Sequence, residues 1–223
     1  MHQKKSKKIL VYFFLLIVVS SISNNAINNF KFDKIKNINI SGLDQKENQS
    51  LLNKIENLNL ENIFFINKKD LNELINSNSL VEKYEIFKRY PNTIEVKIDK
   101  TSFFAKINKN GKTFLIGSNG KLIPSKFYNQ DLPFIFGKPN INEFLTFKKK
   151  IDKSNFSYEQ IDEFYFFPSK RWDLKLNNKI LIKLPNNLKQ ETLNNLYEFL
   201  KNYEGEKFTL IDARIKNQII LND

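Results

Sequence analysis

Chemically reactive side chains are scarce in this sequence. Cysteine is absent, and the only histidine, His2, is the second of 223 residues. Stability therefore cannot rest on disulfides, and most of the chain has no histidine for acid–base catalysis or zinc binding. The six glycines form no phosphate-cradling loop and no G-x-S-x-G sequence. We therefore predict a protein that is not an enzyme, with no catalytic residues, no metal site and no cofactor.

Long apolar runs are also rare, and the one that stands out follows four lysines near the N-terminus. The strict run is Ile9–Val19, and a milder tail through Ile27 extends it to about 19 residues, the length of a membrane-spanning helix. Positive charge beside a span stays cytoplasmic, which predicts a cytoplasmic tail at 1–8, a span at 9–27 and a connector at 28–34. The predicted anchor residues are Ile9, Leu10, Val11, Phe13, Phe14, Leu15, Leu16, Ile17, Val18 and Val19.

A cleaved signal peptide is the alternative interpretation of the same segment. Small residues around Ser21 and Ser23 would then mark the cleavage site. The absence of an A-x-A motif and the apolar continuation favour a retained, single-pass anchor. Both interpretations place the remaining chain beyond the membrane.

The net charge of +12 suggests an anionic partner at first sight. Lysine, asparagine, isoleucine and phenylalanine are abundant together, which is typical of a codon bias rather than of a binding surface. The one lysine run, Lys148–Lys150, is predicted to be a solvated helix face. Because an exported chain meets no DNA, we expect no nucleic-acid partner, and we expect no small-molecule substrate.

The segment 35–101 has the pattern of a small α+β domain. Apolar residues alternate in its strands and recur at helical spacing between them. A three-stranded sheet with two helices on one face accommodates this order of elements. The predicted elements are strands at 35–41, 84–90 and 94–98, helices at 45–57 and 67–76, and a short buried segment at 63–66.

The remaining segment, 102–223, is predicted to be a strand-rich domain with interspersed helices. Asn110–Gly111 indicates a hairpin, because both residues tolerate a positive φ. Trp172 begins a strand and is predicted to lie in the core. Asp162 and Glu163 are adjacent on a strand, point to opposite faces, and cannot share one substrate. The later elements are helices at 141–150 and 189–203 and strands at 208–212 and 218–221.

Five short sequence motifs resemble those of a known protein family. Ile38–Gly42 and Lys88–Val96, in this order of elements, resemble a POTRA domain. Leu132–Gly137, Trp172–Leu176 and Ile211–Arg214 then resemble the bacterial cell-division family FtsQ (DivIB). The resemblance implies a non-enzymatic divisome scaffold, held in the inner membrane at the division septum. It also implies binding of FtsB and FtsL and, through them, of the septal peptidoglycan synthase complex.

The last predicted strand offers a candidate binding site. Gln218–Leu221 is uncharged, and only two residues follow it. Natural sheet edges are usually protected by a lysine, a proline or a bulge. An edge without this protection is predicted to pair with a strand from a partner protein. The alternative is that Gln218–Leu221 lies inside the sheet, with a neighbouring strand on each side. The resemblance implies that Arg214 binds the partner, whereas a pair with Asp212 is the alternative. The predicted partner-binding residues are Arg214, Ile215, Gln218, Ile219, Ile220 and Leu221.

Two other functions remain open at the level of sequence. One is another POTRA-bearing periplasmic chaperone or translocation adaptor, although that class usually carries several POTRA units and this chain has one. The other is an exported hydrolase, which the missing nucleophile motifs disfavour.

Overall fold

The computed structural model describes residues 4–21, 34–125, 128, 131–203, 208–216 and 218–222. An N-terminal helix comes first, then a three-stranded sheet with two helices, and then a larger sheet with two more helices. The mixed α+β class predicted from the sequence is confirmed. Of the predicted connector at 28–34, only Lys34 falls within the described residues.

Helix α1 (Lys4–Ser21) contains the whole apolar run. The side chains from Ile9 to Val19 are all exposed, by between 43% and 69%. Ser20 donates its hydroxyl to the carbonyl of Ile17 at 3.0 Å. Among the described helices, none combines the length and the apolar character that crossing a membrane requires. The span predicted at 9–27 continues past Ser21 into residues outside the described ranges.

The first sheet consists of β1 (Asn37–Ser41), β2 (Val81–Arg89) and β3 (Thr93–Lys100). Their order is β1-β3-β2, with β1 parallel and β2 antiparallel to the central strand β3. Two helices, α2 (Gln45–Glu56) and α3 (Lys68–Ser77), pack against it. The core between helices and sheet contains Leu51, Ile55, Leu71, Ile75, Ile94, Val96 and Ile98.

Local sequence explains these elements. The alternation of Ile94, Val96 and Ile98 places all three on the buried face of β3, where each is at most 5% exposed. Asn67 begins α3 by accepting a hydrogen bond from the backbone N–H of Lys69 at 3.1 Å. The predicted strands and helices of this domain are therefore confirmed.

The second sheet has nine strands among the described residues, and two helices accompany it. The elements are β4 Phe103–Lys109, β5 Lys112–Gly117, β6 Leu122–Pro124, β7 Phe134–Phe136, α4 Ile141–Asp152, β8 Ile161–Phe166, β9 Trp172–Leu176, β10 Leu181–Lys183, α5 Gln190–Asn202, β11 Leu210–Asp212 and β12 Ile220–Asn222. The strand order is β12-β11-β10-β9-β8-β7-β4-β5-β6. The pairs β4/β7, β7/β8 and β10/β11 are parallel, and the other pairs are antiparallel. Helices α4 and α5 share one hydrophobic core with the sheet.

The two domains are joined by packed contacts rather than by a loose linker. Leu115 on β5 and Ile123 on β6 are almost fully buried and belong to the core of the first domain. Asn119, in the turn between these strands, donates its side-chain amide to the carbonyls of Ser79 and Val81, both at 2.9 Å. The first hairpin of the second sheet therefore completes the core of the first domain.

The three-lysine run on α4 corrects a sequence prediction. Lys148 is only 8% exposed, and its ammonium lies 2.8 Å from both carboxylate oxygens of Asp152. The same ammonium sits 4.2 Å from the ring centroid of Phe104 and 4.3 Å from that of Tyr158. The prediction of a solvated face is wrong for Lys148, because aromatic rings and a carboxylate replace its water; Lys149 is exposed as predicted.

Two predictions about aromatic residues have different outcomes. Trp172 is 8% exposed and stacks on Phe147 with the ring centroids 4.7 Å apart, which confirms its place in the core. The segment 63–66 was predicted to be buried, but Phe64 and Phe65 are 50% and 72% exposed. Only Ile63 points fully into the core, because the segment is an irregular turn in which the side chains do not alternate.

Candidate partner-binding site

The last strand, β12, forms one edge of the nine-stranded sheet. It pairs with β11 alone, in an antiparallel register that sets Leu221 opposite Ile211 and Ile220 opposite Asp212. No other strand in the described part of the chain pairs with its outer side. The alternative of a strand inside the sheet is therefore wrong. The strand begins at Ile220, and Gln218 lies in the turn before it.

The two edges of the sheet differ in protection. The opposite edge, β6, ends in Pro124, which has no backbone N–H to offer to another strand. At the β12 edge, Ile220 and Leu221 are 50% and 39% exposed, and neither a proline nor a charge interrupts the strand. Nearby, Ile215 and Ile219 are 53% and 36% exposed. An apolar surface therefore adjoins a row of backbone groups that can pair.

Arg214 lies in the loop between β11 and β12 rather than on a strand. Its Nη2 is 2.6 Å from Oδ2 of Asp212 and its Nε is 2.9 Å from Oδ1, so the intramolecular pair is present. Hydrogen bonding to the guanidinium lowers the pKa of the Asp212 carboxyl, and the carboxylate raises the pKa of Arg214. Nη1 has no partner among the described residues, and the side chain is 45% exposed.

A groove of about 660 Å³ lies beside this loop. Thr192 and Asn195 of α5 line one wall, and Ile215 and Ile219 line the other. The helix wall was not predicted as part of the site. The stripe of Leu193 and Leu196 on α5 points into the core, so the polar residues beside it could have been assigned to an exposed face by their helical spacing.

The rest of the described chain offers little for catalysis. Asp162 pairs with Lys179 at 3.1 Å, whereas Glu163 pairs with Lys175 at 3.2 Å and accepts a hydrogen bond from Tyr165. The two carboxylates therefore have separate basic partners. Among the described residues, no group of three histidine, cysteine or acidic side chains is arranged to hold a metal ion.

Two family models match the chain, one over each domain. The model described as "POTRA domain, FtsQ-type" matches residues 33–100. The model described as "Cell division protein FtsQ/DivIB, C-terminal" matches residues 104–214. A POTRA domain joined to this C-terminal domain defines a class of bacterial cell-division protein. The chain belongs to the FtsQ/DivIB family of that class. The resemblance predicted from its short sequence motifs is confirmed.

Three similar proteins are named as the cell division proteins DivIB or FtsQ. The cell division protein DivIB of Bacillus subtilis (strain 168) is 25% identical over 141 residues, which cover 61% of this chain and 53% of that protein. The cell division protein FtsQ of Rhizobium meliloti (strain 1021) is 24% identical over 153 residues, covering 68% and 50%. The FtsQ of Rickettsia bellii (strain RML369-C) is 23% identical over 197 residues, covering 83% and 70%. The chain spans about half the length of the first two relatives.

A solved structure also matches. It is the major extracytoplasmic domain of the trans isomer of DivIB from Geobacillus stearothermophilus. The match covers 48% of this chain and 90% of that chain, with a TM-score of 0.32 and 13% sequence identity.

Proposed function

We propose that this protein is a non-enzymatic scaffold of the divisome. It is anchored in the inner membrane with its N-terminus in the cytoplasm, and it presents its two domains in the periplasm at the division septum. The bare edge of β12 carries the proposal, because an unprotected strand beside exposed apolar side chains is the arrangement that strand addition uses.

The proposed partners are FtsB and FtsL. A segment of the pair extends the sheet beyond β12, where backbone hydrogen bonds hold it in register and Ile220 and Leu221 supply apolar contact. The Nη1 group of Arg214, together with Lys216, favours acidic residues in that segment. Through this pair the protein links arrival at the septum to the septal peptidoglycan synthase complex.

Helix α1 supplies the proposed membrane anchor. Its apolar run is exposed along its whole length in the isolated chain, and Lys7 and Lys8 directly precede it. Such a surface is stable in hydrocarbon and costly in water. The lysines stay on the cytoplasmic side, which directs the rest of the chain outward.

The edge of β12 can be tested by capture of the FtsB–FtsL pair on the detergent-solubilised full chain. Arg214→Glu reverses the charge beside the edge, and Ile220→Glu places a charge on the strand itself. Both variants are expected to lose capture. Ile220→Glu is expected to unfold close to the parent. Arg214→Glu also breaks the pair with Asp212, so it is expected to lose no more thermal stability than its control. Arg89→Glu is the matched control for the first variant, since Arg89 also pairs with a nearby carboxylate, Glu95, at 2.9 Å. Tyr203→Glu, at an exposed aromatic position at the end of α5, is the control for the second.

Two results would count against this function. Capture that is unchanged in both Arg214→Glu and Ile220→Glu would remove β12 as the docking edge. A fluorescent fusion that labels the envelope uniformly, instead of forming a mid-cell band in dividing cells, would favour the adaptor alternative. Filamentous, undivided cells after depletion are the expected phenotype.

A further inference from the structure

Three exposed aromatic side chains cluster at one end of the POTRA domain. Phe64, Phe65 and Tyr90 are 50%, 72% and 63% exposed, and the rings of Phe64 and Tyr90 lie 5.2 Å apart between centroids. We call these three residues the aromatic tip. They contribute little to the core, since the buried anchor of this segment is Ile63, which has no exposed surface. Adjacent aromatic side chains with this much exposed surface mark a candidate interaction surface.

The backbone beneath the aromatic tip is held in place. The side-chain oxygen of Asn62 accepts hydrogen bonds from the N–H groups of Phe64 at 3.0 Å and Phe65 at 3.1 Å. Lys88 donates its ammonium to the carbonyl of Ile63 at 2.6 Å. The rings are thus presented on a fixed turn rather than on a loose loop, so little ordering entropy is lost when they bind a surface.

The aromatic tip is next to the point where the chain leaves towards α1. Lys34, the first described residue after the gap, forms an antiparallel bridge with Asn62. Lys36 donates its backbone N–H to the carbonyl of Asn92 at 2.9 Å, in the turn that follows Tyr90. Twelve residues, 22–33, separate α1 from Lys34, and a chain of that length reaches at most about 45 Å. The tip is therefore within reach of any membrane that holds α1.

The charge around the aromatic tip is positive. The three segments that form this end of the domain, 34–36, 61–70 and 88–92, carry six basic side chains and two acidic ones, Glu61 and Asp70. Glu73 and Glu95, just outside these segments, pair with Lys69 and Arg89, so the basic side chains exceed the acidic ones by two. Each lysine or arginine near an anionic membrane surface adds to its attraction for the protein. Aromatic rings flanked by basic residues are typical of the region where a protein meets lipid headgroups.

We propose that the aromatic tip inserts into the interface of an anionic lipid bilayer, which orients the POTRA domain against the membrane. The inference rests on the proposed attachment of α1 to that membrane. A single point of attachment does not fix the orientation of a domain. Contact through Phe64, Phe65 and Tyr90 adds a second point of attachment and fixes which way the β12 edge faces.

The test places a fluorescent reporter at the tip of the full chain. Phe65→Trp is reconstituted in vesicles of phosphatidylethanolamine and phosphatidylglycerol, with or without bromine on the acyl chains. The parent, whose only tryptophan is the buried Trp172, gives the background emission. Tyr203→Trp, at the end of α5 in the other domain, is the matched control at an exposed aromatic position. Phe65→Trp is expected to lose emission in brominated vesicles and to shift to the blue, whereas Tyr203→Trp does neither.

Flotation of the vesicles distinguishes failure of membrane attachment by α1 from failure of insertion by the aromatic tip. A chain that does not float with lipid would overturn membrane attachment by α1, and this inference with it. A chain that floats while the Phe65→Trp reporter stays insensitive to brominated lipid would overturn the inference alone. Equal quenching in purely zwitterionic vesicles would overturn the role assigned to the basic side chains.

Discussion

The carboxylate of Glu82 on β2 accepts a hydrogen bond of 2.7 Å from the hydroxyl of Ser118, which follows β5. The same oxygen accepts a bond of 3.1 Å from Thr101, a residue only 3% exposed. These bonds lie where the POTRA sheet meets the first hairpin of the second domain. The junction therefore combines a network of hydrogen bonds with the apolar contacts that the two domains share. The hydrogen bonds and the apolar contacts both resist rotation of one domain against the other.

Removal of this carboxylate is expected to destabilise the junction. Glu82→Ala removes the charged acceptor that Thr101 and Ser118 share, and their hydroxyls then have only each other, at 3.0 Å, and the carbonyl of Ser102. The loss is predicted to cost about 1–3 kcal/mol of unfolding free energy. Urea denaturation measures the loss. Glu73→Ala is the control, because its 3.9 Å contact with Lys69 is largely in solvent and contributes little. Equal stability of the two variants would contradict the importance of the network.

The pair of Asp212 and Arg214 predicts a dependence of stability on pH. Hydrogen bonding from Arg214 lowers the pKa of Asp212 in the folded chain. A lowered pKa means that the pair stabilises the fold above the unfolded value of about 4, and that this stabilisation disappears as the pH falls through the folded value. The stability advantage of the parent over Arg214→Gln is therefore expected to be constant between about pH 5 and 7 and to shrink below about pH 4.

Thermal unfolding of the parent and Arg214→Gln across this range measures the effect. Lys149→Gln, at an exposed position on α4, is the control for loss of a surface positive charge. A difference between parent and Arg214→Gln that does not change with pH would show that Asp212 is not the titrating partner.

The sequence indicated much of the fold because its signals are local. The alternation of Ile94, Val96 and Ile98 depends only on the period of a strand, and the hairpin at Asn110–Gly111 depends only on two residues that tolerate positive φ. The structure gives them φ of 54° and 75°.

Other features depend on neighbours that are distant in sequence. The parallel pairing of β4 with β7 and of β10 with β11 leaves no local pattern that identifies the partner strand. Lys148 is buried because Phe104 and Tyr158 approach it from other elements. Arg214 lies in a loop because β11 ends at Asp212 and the chain turns there. Tertiary packing decided each of these cases.

Lys148 and its neighbour Lys149 lie on the same helix, α4, but only Lys148 is buried, so alanine substitutions at the two positions can be compared. Lys148→Ala removes an ammonium that lies over two rings and contacts Asp152, and it is predicted to cost about 1–3 kcal/mol of unfolding free energy. Lys149→Ala, its exposed neighbour on α4, is expected to change stability by less than about 0.5 kcal/mol. Urea denaturation of both variants measures the difference. Similar losses would mean that helix propensity or net charge, rather than the aromatic contact, sets the effect.

Alanine substitutions at two glycines with positive φ can distinguish the cost of backbone strain from the cost of a steric clash. Gly42, with φ of 109°, follows β1, and a Cβ there would lie 1.7 Å from the carbonyl oxygen of Ile98 on β3. Gly111, with φ of 75°, has no atom within 4 Å of the same position among the described residues. Gly111→Ala is expected to cost about 1–2 kcal/mol for the left-handed backbone alone. Gly42→Ala adds a clash with a carbonyl of the central strand and is expected to cost more than about 3 kcal/mol.

Urea denaturation followed by circular dichroism measures both losses, and amide exchange locates them. The Gly42→Ala loss should appear first in the POTRA sheet, because relief of the clash requires β1 to separate from β3. The Gly111→Ala loss should stay at the tip of the β4–β5 hairpin. If the two variants lose the same stability, then β1 moves away from β3 at little cost, and the sheet of this domain is held mainly by its helices.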